Sequence, residues 1–303
     1  MFPLKHEGVF MIVDCHIHYE PRMFPAERLL AAMDRHGIDR ACLVPTMVEP
    51  FSLRGRIKRY SNSFLRACLV HANPLGRFLY DALLIDSRGY FHILHEKYRV
   101  IERPDNATVA ELVERHPERF LGWIFVNPAV DPDPVKEIER WAGRPGMVGV
   151  KAHPFWHRYP VERLLPVASW CRENGRPLLV HLGSRRGSGD YRLLPERFPG
   201  LKIIYAHAGI PYYRELWGYI RDREGLYVDL SSPYLNPGLV RRAVQFLGPG
   251  KCLYGTDGPY GEQAPGEDYD YGWIKGWVEA LPLSEAEREL VFAGNFLSLV
   301  GKA

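Results

Sequence analysis

Apolar residues along this chain fall into short β-rich runs separated by longer segments in which they recur at helical spacing. The runs predict strands at Met11 to Ile17, Ala41 to Pro45, Leu121 to Val126, Met147 to Ala152, Pro177 to Leu182, Lys202 to Ala206, Leu226 to Leu230 and Lys251 to Gly255. Between them the pattern predicts helices over Pro25 to His36, Ala107 to His116, Pro134 to Trp141, Val161 to Asn174, Tyr191 to Phe198, Tyr212 to Asp222 and Pro237 to Phe246. Several end at glycine (Gly37, Gly175) or run into proline (Pro117, Pro199), which stops a helix before the next strand. A last helix begins at Ser284, where Glu287 three residues on completes a capping box. Eight strands alternating with helices predict an α/β fold, a closed parallel (β/α)8 TIM barrel. An open doubly wound sheet is the rival, but no strand is followed by GxGxxG.

One segment breaks the rhythm. From Phe51 to Pro104 a long insertion stands where a short helix would suffice, and it reads as mainly helical over Ser61 to His71, Leu75 to Ile85 and Phe91 to Tyr98. Because it follows the C-terminal end of the second strand, it is expected over the active face of the barrel. Lid, substrate-pocket wall and homodimer contact all fit that position. Residues 1–303 read as one barrel domain with 51–104 inserted.

Composition narrows the partners. The chain is 46% hydrophobic and 13% aromatic, enough for a large core and unlike a disordered chain. With 39 basic and 36 acidic residues, a net of +3, global charge gives no reason to expect a nucleic-acid partner. Five scattered cysteines predict neither a disulfide framework nor a CxxC metal site, and read as small core residues in a reducing compartment. Lys5, His6 and Glu7 interrupt the first apolar stretch, and no run is long enough to span a bilayer. A cytoplasmic protein acting on a small molecule is expected.

Five of the twelve histidines fall at or just past the end of a predicted strand: His16, His18, His153, His181 and His207. Asp257 follows the eighth strand in the same way. In a parallel barrel all C-terminal strand ends open onto one face, so these residues converge there. In Val13-Asp-Cys-His-Ile-His-Tyr19, alternation turns His16 and His18 the same way, toward the barrel axis, with Cys15 and Ile17 opposite. Imidazole suits zinc and other borderline divalent metals, and a catalytic site needs three or four protein ligands beside an open position. His16, His18, His181 and Asp257 supply such a set. Arg185 and Arg186 after the fifth strand, and Arg54, Arg56, Lys58 and Arg59 at the start of the insertion, are candidates to hold a substrate carboxylate. Trp156, His157, Tyr159, Tyr212, Tyr213 and Tyr260 are candidates to wall an aromatic or unsaturated substrate.

The order VDCHIH, GVKAHP, LLVHLG, IIYAHAG, YGTDGP and a closing FAGNFLSLVG resembles the amidohydrolase superfamily. Within it, the chain resembles most the metal-dependent branch that includes aminocarboxymuconate semialdehyde decarboxylase and related lactonases. The resemblance implies a mononuclear metal on His16, His18, His181 and Asp257, with His207 beside the metal-bound water. Asp257 and His207 would be the catalytic pair. Zinc leads among the metals, with manganese, iron and cobalt as alternatives. Some members of the superfamily bridge two metals with a carboxylated lysine, and Lys151 occupies the corresponding strand. In the branch resembled here, Lys151 and His153 instead contact substrate or brace the ligands, which favours one metal. The leading expectation is hydrolysis of a lactone, ester or amide bond in a small anionic molecule by metal-activated water. The alternative is non-oxidative decarboxylation of an unsaturated or aromatic acid. A non-catalytic metal-binding protein on the same fold is the reading from another class.

Overall fold

A computed structural model describes residues 10–53, 55–231, 233–260 and 269–301. Arg54, one of the basic residues opening the insertion, lies outside them. The first half runs β1 (Val13–Tyr19), α1 (Ala26–His36), β2 (Arg40–Pro45), α2 (Arg56–His71), α3 (Asn73–Leu84), β3 (Tyr90–Ile93), β4 (Glu96–Arg99), α4 (Asn106–Arg115), β5 (Phe120–Val126) and α5 (Pro134–Ala142). The second runs β6 (Met147–Ala152), α6 (Leu165–Glu173), β7 (Leu178–Val180), α7 (Leu193–Arg197), β8 (Ile203–Tyr205), α8 (Tyr213–Ile220), β9 (Leu226–Asp229), α9 (Pro237–Leu247), β10 (Cys252–Leu253), α10 (Trp273–Glu279), α11 (Glu285–Glu289) and α12 (Asn295–Val300). Eight strands form one parallel sheet in the order β1-β2-β5-β6-β7-β8-β9-β10, the alternation the apolar pattern predicts. The expected capping box at Ser284 and Glu287 is formed.

Backbone hydrogen bonds beyond β10 close the barrel. Cys15 N–H donates to Tyr254 O at 3.0 Å, His18 N–H to Gly258 O at 2.7 Å, and Asp257 N–H to His16 O at 2.7 Å. Residues 254–258 therefore run along β1 and carry Asp257 to the two histidines. Gly255 permits this approach, since a Cβ there would stand 3.2 Å from His16 Cβ and 3.3 Å from Cys15 Sγ.

Side-chain parity on β1 corrects one expectation. Cys15 packs inside the barrel with Val13, Val44, Trp123 and Leu179, not against the helices. A bulge between Asp14 and Ile17 adds a residue and shifts the alternation, so Cys15 and His16 share the interior while Ile17 joins the outer core.

The insertion is helical in α2 and α3, but Phe91 to Tyr98 forms the β3–β4 hairpin instead of a helix. Phe91 and Ile93 alternate with half-exposed Tyr90 and His92, a period of two over a stretch too short to distinguish from a helical turn. Leu94, at φ 58°, turns the chain back. Gly76 lets α3 approach α2, because a Cβ there would collide with the Leu69 backbone. Asn73 Nδ2 donates to Pro211 O at 3.1 Å and Tyr213 O–H to Val70 O at 2.8 Å, which fastens the insertion to the loop after β8. All five cysteines are buried and free. Among the described residues, no helix is long and apolar enough to cross a membrane.

Candidate metal centre

The strand ends deliver their polar residues to one buried group. His16, His207 and Asp257 carry ligand atoms all within 4.8 Å of one another. His16 comes from β1, His207 follows β8, and Asp257 sits at φ 57° past β10. His207 has φ 59° as well, so two of the three group members occupy a backbone region that non-glycine residues reach only under support from their surroundings.

The remaining predicted ligands stand beside this group. His18 Nε2 lies 3.2 Å from Asp257 Oδ1, and His18 Nδ1 is buried without a partner among the described residues. His181 adjoins the group through His207: its Nδ1 is 2.8 Å from His207 Nε2, while its Nε2 is 2.7 Å from the Tyr80 hydroxyl. Tyr80 comes from α3, so the insertion reaches the centre directly. His153 stacks on His181 with ring centroids 3.9 Å apart, and its Nδ1 accepts the Trp156 N–H at 3.0 Å.

Lys151 is fully buried on β6, with Nζ 3.2 Å from His16 Nε2. Burial pushes its pKa down to about 8 against the pull of Asp229 and Asp257. Arg185 lies away from the centre: its guanidinium binds the Asp81 carboxylate at 2.9 Å and is mostly exposed. The acidic partner, Asp81, comes from α3.

A carboxylate missed by the sequence pattern organises the group. Asp229, fully buried at the end of β9, accepts His16 Nδ1–H at 3.0 Å, the His207 backbone N–H at 2.9 Å and the Ser231 hydroxyl at 2.5 Å. Its signal in the chain is an aspartate closing the apolar run Leu226-Tyr-Val-Asp-Leu230, as polar residues close the other strands. Burial opposes its charge, but His16 and His207 prevail and hold its pKa well below the usual carboxylate range. Asp257 balances in the same way: burial would raise it, while His207, His18 and His16 bring it down to about 2.

This set fits a divalent cation. Metal ligation requires neutral imidazoles and an ionised carboxylate. Burial, with Lys151 adding to it, drives His16 down to about 3 despite Asp229. Burial also lowers His207 below its ordinary value, opposed by Asp257 and Asp229. Two buried imidazole nitrogens and a carboxylate oxygen form one site for one ion, and among the described residues no second such group is present.

The same burial makes the fold acid-sensitive. His157 is held at about 4 by burial, and burial drives His153 and His181 well below the ordinary range. Below about 6.5 an unfolded chain binds protons that these folded imidazoles refuse, so stability falls as pH falls. The loss continues toward about 4 for His157 and about 3 for His16. Each group contributes up to roughly 1.4 kcal/mol per pH unit. Asp14, pushed up to about 7 by burial, works in the opposite sense, but it is one group against several. The Tm of metal-free protein should therefore drop steadily from pH 7 to pH 4.5 in a calorimetric series, and a flat profile would refute it.

A cavity of about 240 Å³ opens onto this centre. His18, His181, His207 and Asp257 form its floor, and Phe51, Phe91, Trp156 and Tyr260 are among its walls. Phe51 stacks on Tyr260 at 4.9 Å and Phe91 on Trp156 at 5.0 Å. Of the residues expected to meet substrate, His153 and Trp156 line the cavity, Lys151 stands behind His16, and Arg185 is outside.

The chain is 25% identical over 258 residues to the gamma-resorcylate decarboxylase of Polaromonas sp., which covers 65% of this chain and 75% of the relative. Its fold matches 5-carboxyvanillate decarboxylase from Novosphingobium aromaticivorans, solved with manganese and 4-hydroxy-3-methoxy-5-nitrobenzoic acid, at TM-score 0.62 and 16% identity over 98% of this chain and 97% of that one. It also matches 4-oxalomesaconate hydratase from Rhodopseudomonas palustris at TM-score 0.60 and 15% identity, over 96% and 95%. The amidohydrolase family model matches residues 82–301, from the end of α3 through the last helix. With barrel, metal group and family model in agreement, the chain belongs to the amidohydrolase family.

Proposed function

We propose that this enzyme catalyses the metal-dependent, non-oxidative decarboxylation of a single-ring aromatic acid. The observation that carries the reading is the cavity: a metal-ligand group forms its floor and paired aromatic rings its walls. At about 240 Å³, leucine-lined part included, it is smaller than the roughly 300–1,000 Å³ of drug-sized sites, which suits a substrate with one ring and a short substituent. The decarboxylases among the relatives favour this chemistry over the hydrolysis expected first. Manganese, present in two solved neighbours, is the proposed metal, with zinc as the rival. The five buried free cysteines support a reducing, cytoplasmic setting.

A divalent cation held by His16, His207 and Asp257 would supply positive charge to bind the substrate carboxylate. The chain's own residues do the rest. Stacked side chains hold the ring and exclude water from the floor. Asp257 takes up a proton from solvent once the substrate anion is bound and passes it to the ring carbon bearing the carboxylate, returning to its ionised form. There a C–H bond forms, the C–C bond to the carboxylate breaks, and its electron pair restores aromaticity as CO2 leaves. An anion bound beside Asp257 raises that group's proton affinity, the direction a proton donor needs.

Incubation of the manganese-loaded enzyme with hydroxybenzoates in D2O should release CO2 and leave one deuterium on the vacated carbon, read by NMR. Lactone or amide cleavage with oxygen from H2(18)O in the product, and no CO2, would instead establish hydrolysis.

A further inference from the structure

Beyond its aromatic walls, the cavity continues into the insertion, where its character changes. Leu53, Leu65, Leu79, Leu83, Leu84 and Leu94 line this extension. They come from the segment before α2, from both insertion helices and from the hairpin turn, so several elements converge on one aliphatic surface. The charged lining groups nearby are engaged within the insertion. Lys58 Nζ binds Glu96 Oε2 at 2.7 Å and Ser52 O at 3.1 Å, and His92 Nε2 stands 3.1 Å from Asp86 Oδ2. Neither side chain is left over for an anionic substituent. Phe64, Leu83 and Leu94, which also line the cavity, are 61%, 57% and 43% exposed, so the extension reaches solvent at an apolar mouth.

A cavity with acid-binding chemistry at one end and leucines at the other matches a molecule of the same polarity. We propose that the substrate is an aromatic acid carrying an apolar alkyl tail, with the carboxylate at the metal centre and the tail among the insertion leucines. The inference rests on the reading of an aromatic acid at that centre. The insertion thereby acquires a specific role, in which α2, α3 and the hairpin form a tail subsite that selects among acids the barrel floor treats alike. Burying each methylene against leucine removes apolar surface from water, and the gain accumulates with length until the tail reaches the mouth.

The test is equilibrium binding of 2-hydroxybenzoate and its 4-propyl and 4-pentyl derivatives to the manganese-loaded protein, by calorimetry. Kd should tighten by up to about fourfold per methylene. Flat or weakening affinity along the series, or no saturable binding of any member, overturns the proposal. Leu83→Lys should reduce the pentyl-to-unsubstituted affinity ratio at least about tenfold, and Leu94→Lys gives a second reading from the hairpin. Leu290→Lys, at a 41% exposed leucine on the closing helix, should keep the ratio. Thermal melts verify that each variant is folded. Tightening in the parent with an unchanged ratio in both insertion variants would put the tail elsewhere and overturn the assignment. CO2 release from the same acids separates this inference from the reaction it rests on. Tail-dependent binding without CO2 leaves the subsite standing and removes decarboxylation, whereas CO2 release without tail dependence does the reverse.

Discussion

Asp257→Asn is expected to lower kcat by about 10³-fold or more, with the protein still folded. Asparagine keeps the shape of the side chain and its amide oxygen, but it cannot carry a proton at the cavity floor. The change also removes the negative charge that faces His18 at 3.2 Å and His16 at 3.5 Å. Metal retention should weaken in the same variant, because one of the three ligand groups becomes neutral. Turnover is therefore to be measured at saturating manganese, with metal content determined on the same sample. A fully loaded variant working within tenfold of the parent would remove Asp257 from proton transfer.

Asp229→Asn should weaken metal binding by roughly 10–100-fold without touching a proposed ligand atom. The ionised carboxylate is an acceptor only, so it fixes the proton of His16 on Nδ1 and leaves the Nε2 lone pair facing the centre, 3.2 Å from Lys151 Nζ. It also accepts the backbone N–H of His207, which holds that residue in its left-handed conformation. An asparagine amide keeps one acceptor oxygen and turns N–H toward the other partner, so one of the two constraints is lost. Chelator competition gives the affinity ratio, and a Kd within twofold of the parent would show that the imidazoles orient themselves. Asp229→Ala goes further: it leaves buried donors unsatisfied and should cost roughly 3–5 kcal/mol of stability in denaturant melts.

The legibility of these residues in the chain differs from one to the next. His16 and His18 stand two apart in an apolar run, and strand alternation alone gives them a common face. Even there, the bulge that brings Cys15 inside has no local signal, because it depends on how β1 pairs with β2. His207 reads from the resemblance as a supporting group beside the ligands, yet the geometry groups it with His16 and Asp257. Phe91 to Tyr98 reads as a helix because a short apolar run lacks a decisive period. Tyr80 carries no signal whatever: on α3 it is one aromatic among several apolar positions, and only the docking of that helix brings its hydroxyl to His181.

The linear pattern of apolar and polar positions determined the alternation of strands and helices, the parallel barrel, the capped closing helix and the gathering of histidines and Asp257 at one rim. These follow from interactions within a few residues and from the rule that parallel strands share a direction. Which ring nitrogen meets which carboxylate, how Asp229 braces two histidines from another strand, where Arg185 finds its acidic partner and how the insertion closes over the floor were decided only by the tertiary structure. Those contacts join residues far apart in the chain, 213 positions between His16 and Asp229, and each depends on packing that brings whole elements together.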